Sequence, residues 1–179
     1  MATATMTSPA VEELRGFLNS WLIPNDTRMP TETLPDLAAD AAAWRHTFAR
    51  VPVPRGSDDT AELLRLRDDL RADVEEHSSA RLDAWLERCP QTARIENGEL
   101  VFRGAATPQG EVLRMAAELV NERRWRRLRA CPDCRWIFYD QSRNNSRTWC
   151  SMYAGDSGRA CGSIAKVKRM RSRKAARAT

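Results

Sequence analysis

Histidine is scarce in this sequence, and no long apolar run is present. Only His46 and His77 occur among the 179 residues, and we find no pairing of a nucleophile with a base and no phosphate-binding loop. No stretch of eighteen or more apolar residues occurs, so we expect no membrane span. The first ten residues lack the basic start and apolar run of a secretory signal peptide. We therefore expect a cytoplasmic protein that is not an enzyme.

Cysteine is also sparse, but four of the five copies lie between residues 131 and 161. Cys131 and Cys134 form a Cys-x2-Cys pair, and Cys150 and Cys161 follow at longer intervals. A two-residue gap lets a tight turn place both sulfurs on one side of a metal, and a distant second pair completes a tetrahedral shell. The spacing predicts one structural Zn²⁺ with four protein ligands and no open position for catalysis.

Two other interpretations of these cysteines stay open from the residues alone. A redox dithiol at the first pair expects a thioredoxin-like strand and helix around it, whereas Arg129 and Ala130 precede the pair and an aromatic stretch follows. A pair of disulfides expects a secreted chain. The fifth cysteine, Cys89, stands apart, and we interpret it as a small buried apolar residue.

Charge divides the chain into two unlike parts. Residues 123–179 carry 16 Arg or Lys against three Asp, a net charge of +13, whereas residues 1–122 carry a net charge of −8. This asymmetry predicts an N-terminal domain over 1–122 and a nucleic-acid-facing domain over 123–179.

Helical periodicity dominates the N-terminal part. Apolar residues recur at helical spacing over 11–23, 35–50, 79–88 and 109–128. A further helix, the third in chain order, begins near Ser57 or Asp58, whose side chains can cap it. Asn97-Gly98 fits the turn of a β-hairpin between Ile95 and the apolar run 100–102. We therefore predict a mainly α fold with small β elements, of the α+β class.

Two sets of polar residues in this part have open or simple interpretations. Asn19 and Ser20 are either functional or satisfy backbone groups at a helix end, which we favour. The third helix also carries charged residues that we interpret as a solvated face with side-chain pairs three or four apart: Glu62, Arg65, Arg67, Asp68, Asp69 and Arg71.

The residues between the cysteines predict a small finger. The run 135–140 reads as a strand whose Trp136 and Phe138 share one face and cover the zinc. Residues 142–146 read as a turn, after which 147–149 return as the paired strand and deliver Cys150 to the metal. Cys161 then begins a basic C-terminal helix. The expected finger is treble-clef-like or ribbon-like.

A set of residues between and after the cysteines carries a resemblance to a known family: Trp136, Phe138, Asp140, Ser142, Arg147, residues 149–152, Cys161, Gly162, Ala165 and Lys166. With these residues the finger resembles the CGNR zinc finger. In that family the finger closes a two-domain bacterial protein whose N-terminal part is called the ABATE domain, so the resemblance implies a stress-induced transcription regulator. The stretch 17–20 is similar to a signature near the start of ABATE domains. Ser163 and Ile164 replace the Asn and Arg of the family motif, and residues 153–160 form an inserted loop.

Basic residues concentrate around the finger. Five arginines between residues 123 and 129 either line a phosphate track or pair with acidic neighbours, and both interpretations stay open. The tail over 163–177 has seven cations and no acid, and the alternative to a packed helix is a disordered basic arm. The candidate nucleic-acid-binding residues are Arg126, Arg127, Arg129, Arg143, Asn144, Asn145, Arg147, Lys166, Lys168, Arg169, Arg171, Arg173 and Lys174.

The partner predicted from these features is double-stranded DNA, bound by a transcription regulator. The alternative function is a protein-interaction adaptor that docks an acidic partner, such as a subunit of the transcription machinery. We also expect a small-molecule effector in the N-terminal domain, and a homodimer is a further option. We expect no membrane partner, because the tail lacks the bulky aromatic face of an interfacial helix.

Overall fold

A computed structural model describes residues 8–24, 27–150, 153–154, 159–163, 166 and 170 of the chain. Helices dominate the described part, and its short strands pair two by two in antiparallel ribbons, so the predicted α+β class is confirmed. The helices are α1 (Pro9–Leu18), α2 (Leu34–Ala39), α3 (Ala41–Thr47), α4 (Ser57–Glu76), α5 (Ala80–Arg88) and α6 (Pro108–Asn121). The ribbons pair β1 (Trp21–Leu22) with β2 (Thr31–Glu32), β3 (Thr92–Glu96) with β4 (Glu99–Arg103), β5 (Leu128–Ala130) with β6 (Ile137–Tyr139), and β7 (Tyr153–Ala154) with β8 (Arg159–Ala160).

The first two predicted helices are too long. The helix predicted over 11–23 ends at Leu18, because the chain turns at Asn19 and enters β1 at Trp21. The helix predicted over 35–50 is two helices that meet at Asp40. The Asp40 carboxylate accepts the backbone N–H of Ala42 at 2.8 Å and so starts α3 with its own cap.

The cap predicted for α4 is also different. Gly56 occupies the position before the first helical residue, with φ of 92°, a conformation that glycine adopts without strain. Ser57 and Asp58 therefore lie inside the helix. The nearby carboxylate of Asp59 instead accepts the backbone N–H of Arg55 at 2.7 Å.

The helix predicted over 109–128 ends at Asn121. Arg123 takes a left-handed φ of 58°, and its N–H bonds the carbonyl of Val120 at 2.9 Å. The N–H of Arg124 reaches the carbonyl of Leu119 at 2.7 Å, which completes a Schellman motif. Residues 125–127 form one 3-10 turn, and β5 follows. The five arginines thus lie on a turn and a strand, beyond the helix.

One apolar core joins the helices to the start of the finger. Its central members include Phe17, Trp44 and Leu70, all buried. Leu128 and Ile137, which lie on β5 and β6, belong to the same cluster. The predicted domain boundary after residue 122 stays a prediction, and the core extends across it. None of the described helices is both long enough and apolar enough to cross a membrane.

Two arginines of α4 contradict the predicted solvated face. Arg67 is 2% exposed, and its guanidinium donates to the Glu32 carboxylate at 2.7 Å. Arg71 is 5% exposed, and burial lowers its pKa to about 10, while the negative charge of Glu75 opposes this shift. Both positions continue the helical spacing of the buried Leu63 by steps of four, so they face the core.

Candidate metal centre

The first two cysteines sit on a tight turn between two short strands. Residues 131–136, here called the knuckle, connect β5 to β6. The N–H of Cys131 bonds the carbonyl of Trp136 at 2.9 Å, and the N–H of Arg135 bonds the carbonyl of Cys131 at 2.8 Å. Arg135 takes a left-handed φ of 60° at the end of this turn, directly before the chain enters β6.

All four predicted ligands converge. Their sulfur atoms lie within 4.8 Å of one another, and all four side chains are buried. Cys134 Sγ lies 3.5 Å from Cys150 Sγ, which lies 3.7 Å from Cys161 Sγ. Zn–S bonds of about 2.3 Å place two sulfurs of a tetrahedron about 3.8 Å apart. The distances fit a four-thiolate zinc site, and they exceed the S–S bond of about 2.05 Å that disulfides require.

The four thiols form a donor set for one soft metal ion. Thiol hydrogen bonds from Cys134 and Cys150 lower the pKa of Cys131, while the same sharing raises the pKa of Cys134. Four neighbouring thiolates need a cation to offset their mutual repulsion, and a tetrahedral set of four sulfur ligands suits zinc or iron. The four protein ligands leave no open coordination position, so the ion has a structural role.

Aromatic rings surround the thiols. Phe138 is buried in the same cluster as the four cysteines, and Trp136 and Trp149 pack against it. The prediction that Trp136 and Phe138 cover the zinc is confirmed. A Cβ added to Gly162 would lie 3.3 Å from the Trp149 ring, so glycine leaves this ring room beside the last ligand.

The strand pairing of the finger differs from the prediction. β6 pairs with β5, which precedes the first cysteine, with Arg129 opposite Phe138. The predicted return strand over 147–149 is wrong, because those residues adopt no strand. The physical reason is the knuckle itself, since its tight turn brings the segments on either side of it into direct register.

The Asp140 side chain fixes a second loop of the finger, which follows β6. We call residues 140–147 the Asp140 loop. The buried Asp140 carboxylate accepts the backbone N–H groups of Ser142 and Arg147, both at 2.8 Å. Burial acts to raise the pKa of Asp140, but hydrogen bonds from Ser142 and Arg147 outweigh it, with help from the Arg129 charge, so the pKa is lowered.

Two arginines of the predicted DNA set hold the same loop from outside. Arg127 donates to the carbonyls of Asp140 and Ser142, at 2.9 and 3.0 Å. Arg129 donates to the carbonyl of Asn145 at 3.0 Å. These hydrogen bonds use backbone acceptors, which is a third use of the arginines beyond the two we expected. The Arg129 charge in addition acts on the neighbouring Asp140 carboxylate.

The N-terminal part supports the knuckle strands directly. Asn19 receives the N–H of Ile137 on its Oδ1 and donates its Nδ2 to the carbonyl of the same residue, both at 2.8 Å. Arg71 donates to the carbonyl of Arg135 at 2.7 Å and to that of Leu18 at 2.7 Å. Arg28 contacts the Asp133 carboxylate at 3.2 Å. Asn19 thus satisfies backbone groups, as we favoured, but these groups belong to β6 and not to the end of its own helix.

A comparison with protein-family models agrees with this geometry. Residues 127–174 match the family model described as CGNR zinc finger. A comparison with curated proteins finds no match. The ABATE resemblance concerns residues outside the matched segment and stays a prediction. The matched segment includes all four cysteines of the metal centre, the Asp140 loop and part of the basic tail. The family match and the four buried cysteines together confirm the prediction of one structural Zn²⁺.

The predicted nucleic-acid-binding residues of the finger differ in their exposure. Arg127, Arg129 and Arg147 are half-buried and bond backbone carbonyls, and Arg147 also stacks 5.4 Å from the Phe138 ring centre. Arg126, Arg143 and Asn144 are exposed, and Asn145 donates to the carbonyl of Arg126 at 2.9 Å. Lys166 is exposed. The remaining predictions lie outside the described residues: Lys168, Arg169, Arg171, Arg173 and Lys174.

The inserted segment and the last helix are described in part. The insertion contains the β7–β8 pair, with Tyr153 opposite Ala160, and residues 155–158 lie outside the described residues. Cys161 to Ser163 are helical, which agrees with a helix that starts at the last ligand. Ser163, one of the two departures from the family motif, is exposed, and Ile164 lies outside the described residues.

Proposed function

We propose that the protein is a cytoplasmic DNA-binding transcription regulator whose zinc centre holds a basic surface in a fixed shape. The observation that supports this most directly is the tip of the Asp140 loop. Arg143 and Asn144 are exposed there, while the carboxylate, Arg127 and Arg129 fix the rest of the loop. A guanidinium and an amide on a rigid support suit contacts to phosphate and base edges.

Unpaired cations cluster beside this tip. Within the described part of the chain, the side chains of Arg126 and Arg143 form no hydrogen bond or ion pair, and both are exposed. The Asn145 amide ties the Arg126 backbone to the loop that carries Arg143. By contrast, Arg124 and Arg135 are paired with Glu122 and Glu75. The free pair, together with the basic tail, gives a surface that attracts phosphates.

Zinc has a structural role in this proposal. It holds Cys161, which begins the basic segment, against Cys150, which follows the Asp140 loop. The loop tip and the first residues of the basic segment, Cys161 to Ser163, therefore stay on one small unit, and no chemical step is required of the metal. The N-terminal part would carry an effector site, and the protein would act without catalysis.

The test is fluorescence anisotropy of the zinc-loaded full chain with duplex DNA at several salt concentrations. Each lost phosphate contact lowers the salt slope by about 1. We expect Arg126→Ala and Arg143→Ala to weaken binding and reduce the slope. Arg65→Ala, an exposed arginine on α4, is the matched control and should leave both unchanged.

Two outcomes would contradict the proposal. If the protein bound duplex DNA no more tightly than it binds heparin, a polyanion without bases, the result would favour the adaptor that docks an acidic partner. Binding that persists after chelation of zinc, without preference for sequence, would assign the affinity to the basic tail alone, since the finger would no longer be folded.

A further inference from the structure

The β3–β4 hairpin has an apolar surface that the described part of the chain leaves exposed. Its register places Ile95 opposite Leu100 and Ala93 opposite Phe102 on one face. Ile95 is 70% exposed and Leu100 is 41% exposed, although both are large apolar residues. A two-stranded ribbon is marginally stable alone, and exposed strand edges pair readily with other chains.

The turn determines which backbone groups of β4 are free. Asn97 and Gly98, with φ of 52° and 82°, form a two-residue turn, so Glu96 and Glu99 are the hydrogen-bonded pair that closes it. Hydrogen-bonded pairs alternate along an antiparallel ribbon. The amides and carbonyls of Leu100 and Phe102 therefore point away from β3.

The outer edge of β4 is complementary to itself. In an antiparallel pair of two copies centred on Val101, Leu100 lies opposite Phe102 of the second copy, so the free backbone groups of both meet and form four hydrogen bonds. The same register places Glu99 opposite Arg103 of the second copy at each end. Arg103 binds Glu96 at 2.6 Å within the chain, and no described cation pairs with Glu99.

We propose that two copies of this chain associate through β4, antiparallel and centred on Val101, into a four-stranded sheet. The second copy is favoured over another protein because one five-residue strand supplies matching charges, matching apolar residues and matching backbone groups. The interface is two-fold symmetric, as homodimer interfaces commonly are. The proposal does not depend on DNA binding, because the sheet forms without nucleic acid.

Sedimentation velocity of the zinc-loaded full chain tests the proposal without DNA. We expect the wild-type protein to sediment at about 0.1 mM as a species of twice the 20.3 kDa chain mass. Glu99→Arg places like charges opposite each other at both ends of the interface, and should raise the dimer dissociation constant by about tenfold or more. Within one chain this change places a guanidinium opposite the Glu96 carboxylate, so the hairpin itself is not weakened.

A charge swap is the decisive variant. The double substitution Glu99→Arg with Arg103→Glu restores opposite charges across the interface and should restore the dimer. Glu87→Arg, the same charge change at an exposed residue of α5, is the matched control and should leave the dimer intact.

Two results would overturn the proposal. The first is a wild-type protein that stays monomeric at this concentration. The second is a dimer that is insensitive to Glu99→Arg. Dissociation of such a dimer in Ile95→Lys would show that the apolar faces of two hairpins stack, which is a different interface.

Discussion

At the residue scale, the polar side chains that organise this protein are buried ones. The Asn19 side chain forms two hydrogen bonds with the backbone of Ile137, one as donor and one as acceptor, as the backbone of a paired strand would. Arg71 joins the end of α1 to the knuckle through carbonyls of Leu18 and Arg135. Each buried donor that finds a carbonyl avoids a desolvation cost, so removal of either side chain leaves backbone groups unpaired.

The first prediction concerns Arg71→Met, which keeps a long apolar stem but removes the guanidinium. Three carbonyls lose a charged donor, those of Leu18, Trp21 and Arg135. We expect the free energy of unfolding to fall by about 3 kcal/mol, measured by urea unfolding of the zinc-loaded protein. Arg65→Met, on the exposed side of the same helix, should change it by no more than about 0.5 kcal/mol. Equal effects of the two variants would show that Arg71 has no special role.

At the element scale, two short strands and one loop build the finger around the metal centre. β5 and β6 have three residues each, too few to be stable as an isolated ribbon. They persist because Leu128 and Ile137 are buried in the core of the helices, while Phe138 on the opposite face covers the thiols. The Asp140 loop is fixed by its own carboxylate from within and by the guanidinium groups of Arg127 and Arg129 from the side of β5.

The second prediction concerns Asp140→Asn. One amide oxygen cannot accept both N–H groups as the carboxylate does, and the amide NH₂ adds a donor where acceptors are needed. We expect a loss of about 2 kcal/mol at neutral pH, measured by urea unfolding, together with weaker DNA binding. Asp36→Asn, an exposed residue of α2, is the matched control.

The pH dependence follows from the lowered pKa of Asp140. A carboxyl with a depressed folded pKa stabilises the fold above its unfolded pKa of about 3.9, and this contribution is lost as pH falls through the folded value. The stability difference between wild type and Asp140→Asn should therefore stay constant from about pH 5 to 8 and narrow only below about pH 4. A difference that narrowed near neutral pH would contradict this assignment.

At the scale of the whole molecule, the zinc centre and the helical core are coupled. Ile137 packs among the helices, and the next residue, Phe138, packs among the thiols. Loss of the metal therefore disturbs one side of a ribbon whose other side is part of the main core. The shared core predicts that the finger and the N-terminal part do not unfold independently.

The third prediction concerns removal of zinc. Binding of structural zinc contributes on the order of 10 kcal/mol to the folded state of small zinc domains. We expect Cys131→Ser to abolish the stoichiometric zinc measured by elemental analysis and to lower the urea midpoint followed by fluorescence of the six tryptophans. Cys89→Ser, which lies outside the cluster, should retain one zinc per chain. An unchanged midpoint in Cys131→Ser would show that the core does not depend on the metal.

The sequence was a good guide where local chemistry decides the structure. The spacing of four cysteines was sufficient for the metal centre, because a tight turn and a tetrahedral ion leave few arrangements. Asn97-Gly98 was sufficient for the hairpin, because a type I′ turn demands left-handed φ at both positions.

Long-range contacts were beyond the reach of local pattern. The charged character of Arg67 and Arg71 suggested solvent, but their four-residue spacing from Leu63 was a usable sign that they face the core. We predicted that β6 pairs with residues 147–149, whereas it pairs with β5. Periodicity indicates that a segment is a strand but does not identify the strand that it pairs with. Asn19 carried no signal of its own for a contact 118 residues away.

By itself the sequence determined the zinc ligands, the opposite charges of the two parts and the types of most elements. These follow from residue identity and spacing over a few neighbours. Only the tertiary structure decided which arginines are buried, which bond carbonyls and which stay free for a partner. That outcome depends on burial and on the acceptors that distant segments bring within about 3 Å, and no local pattern contains this information.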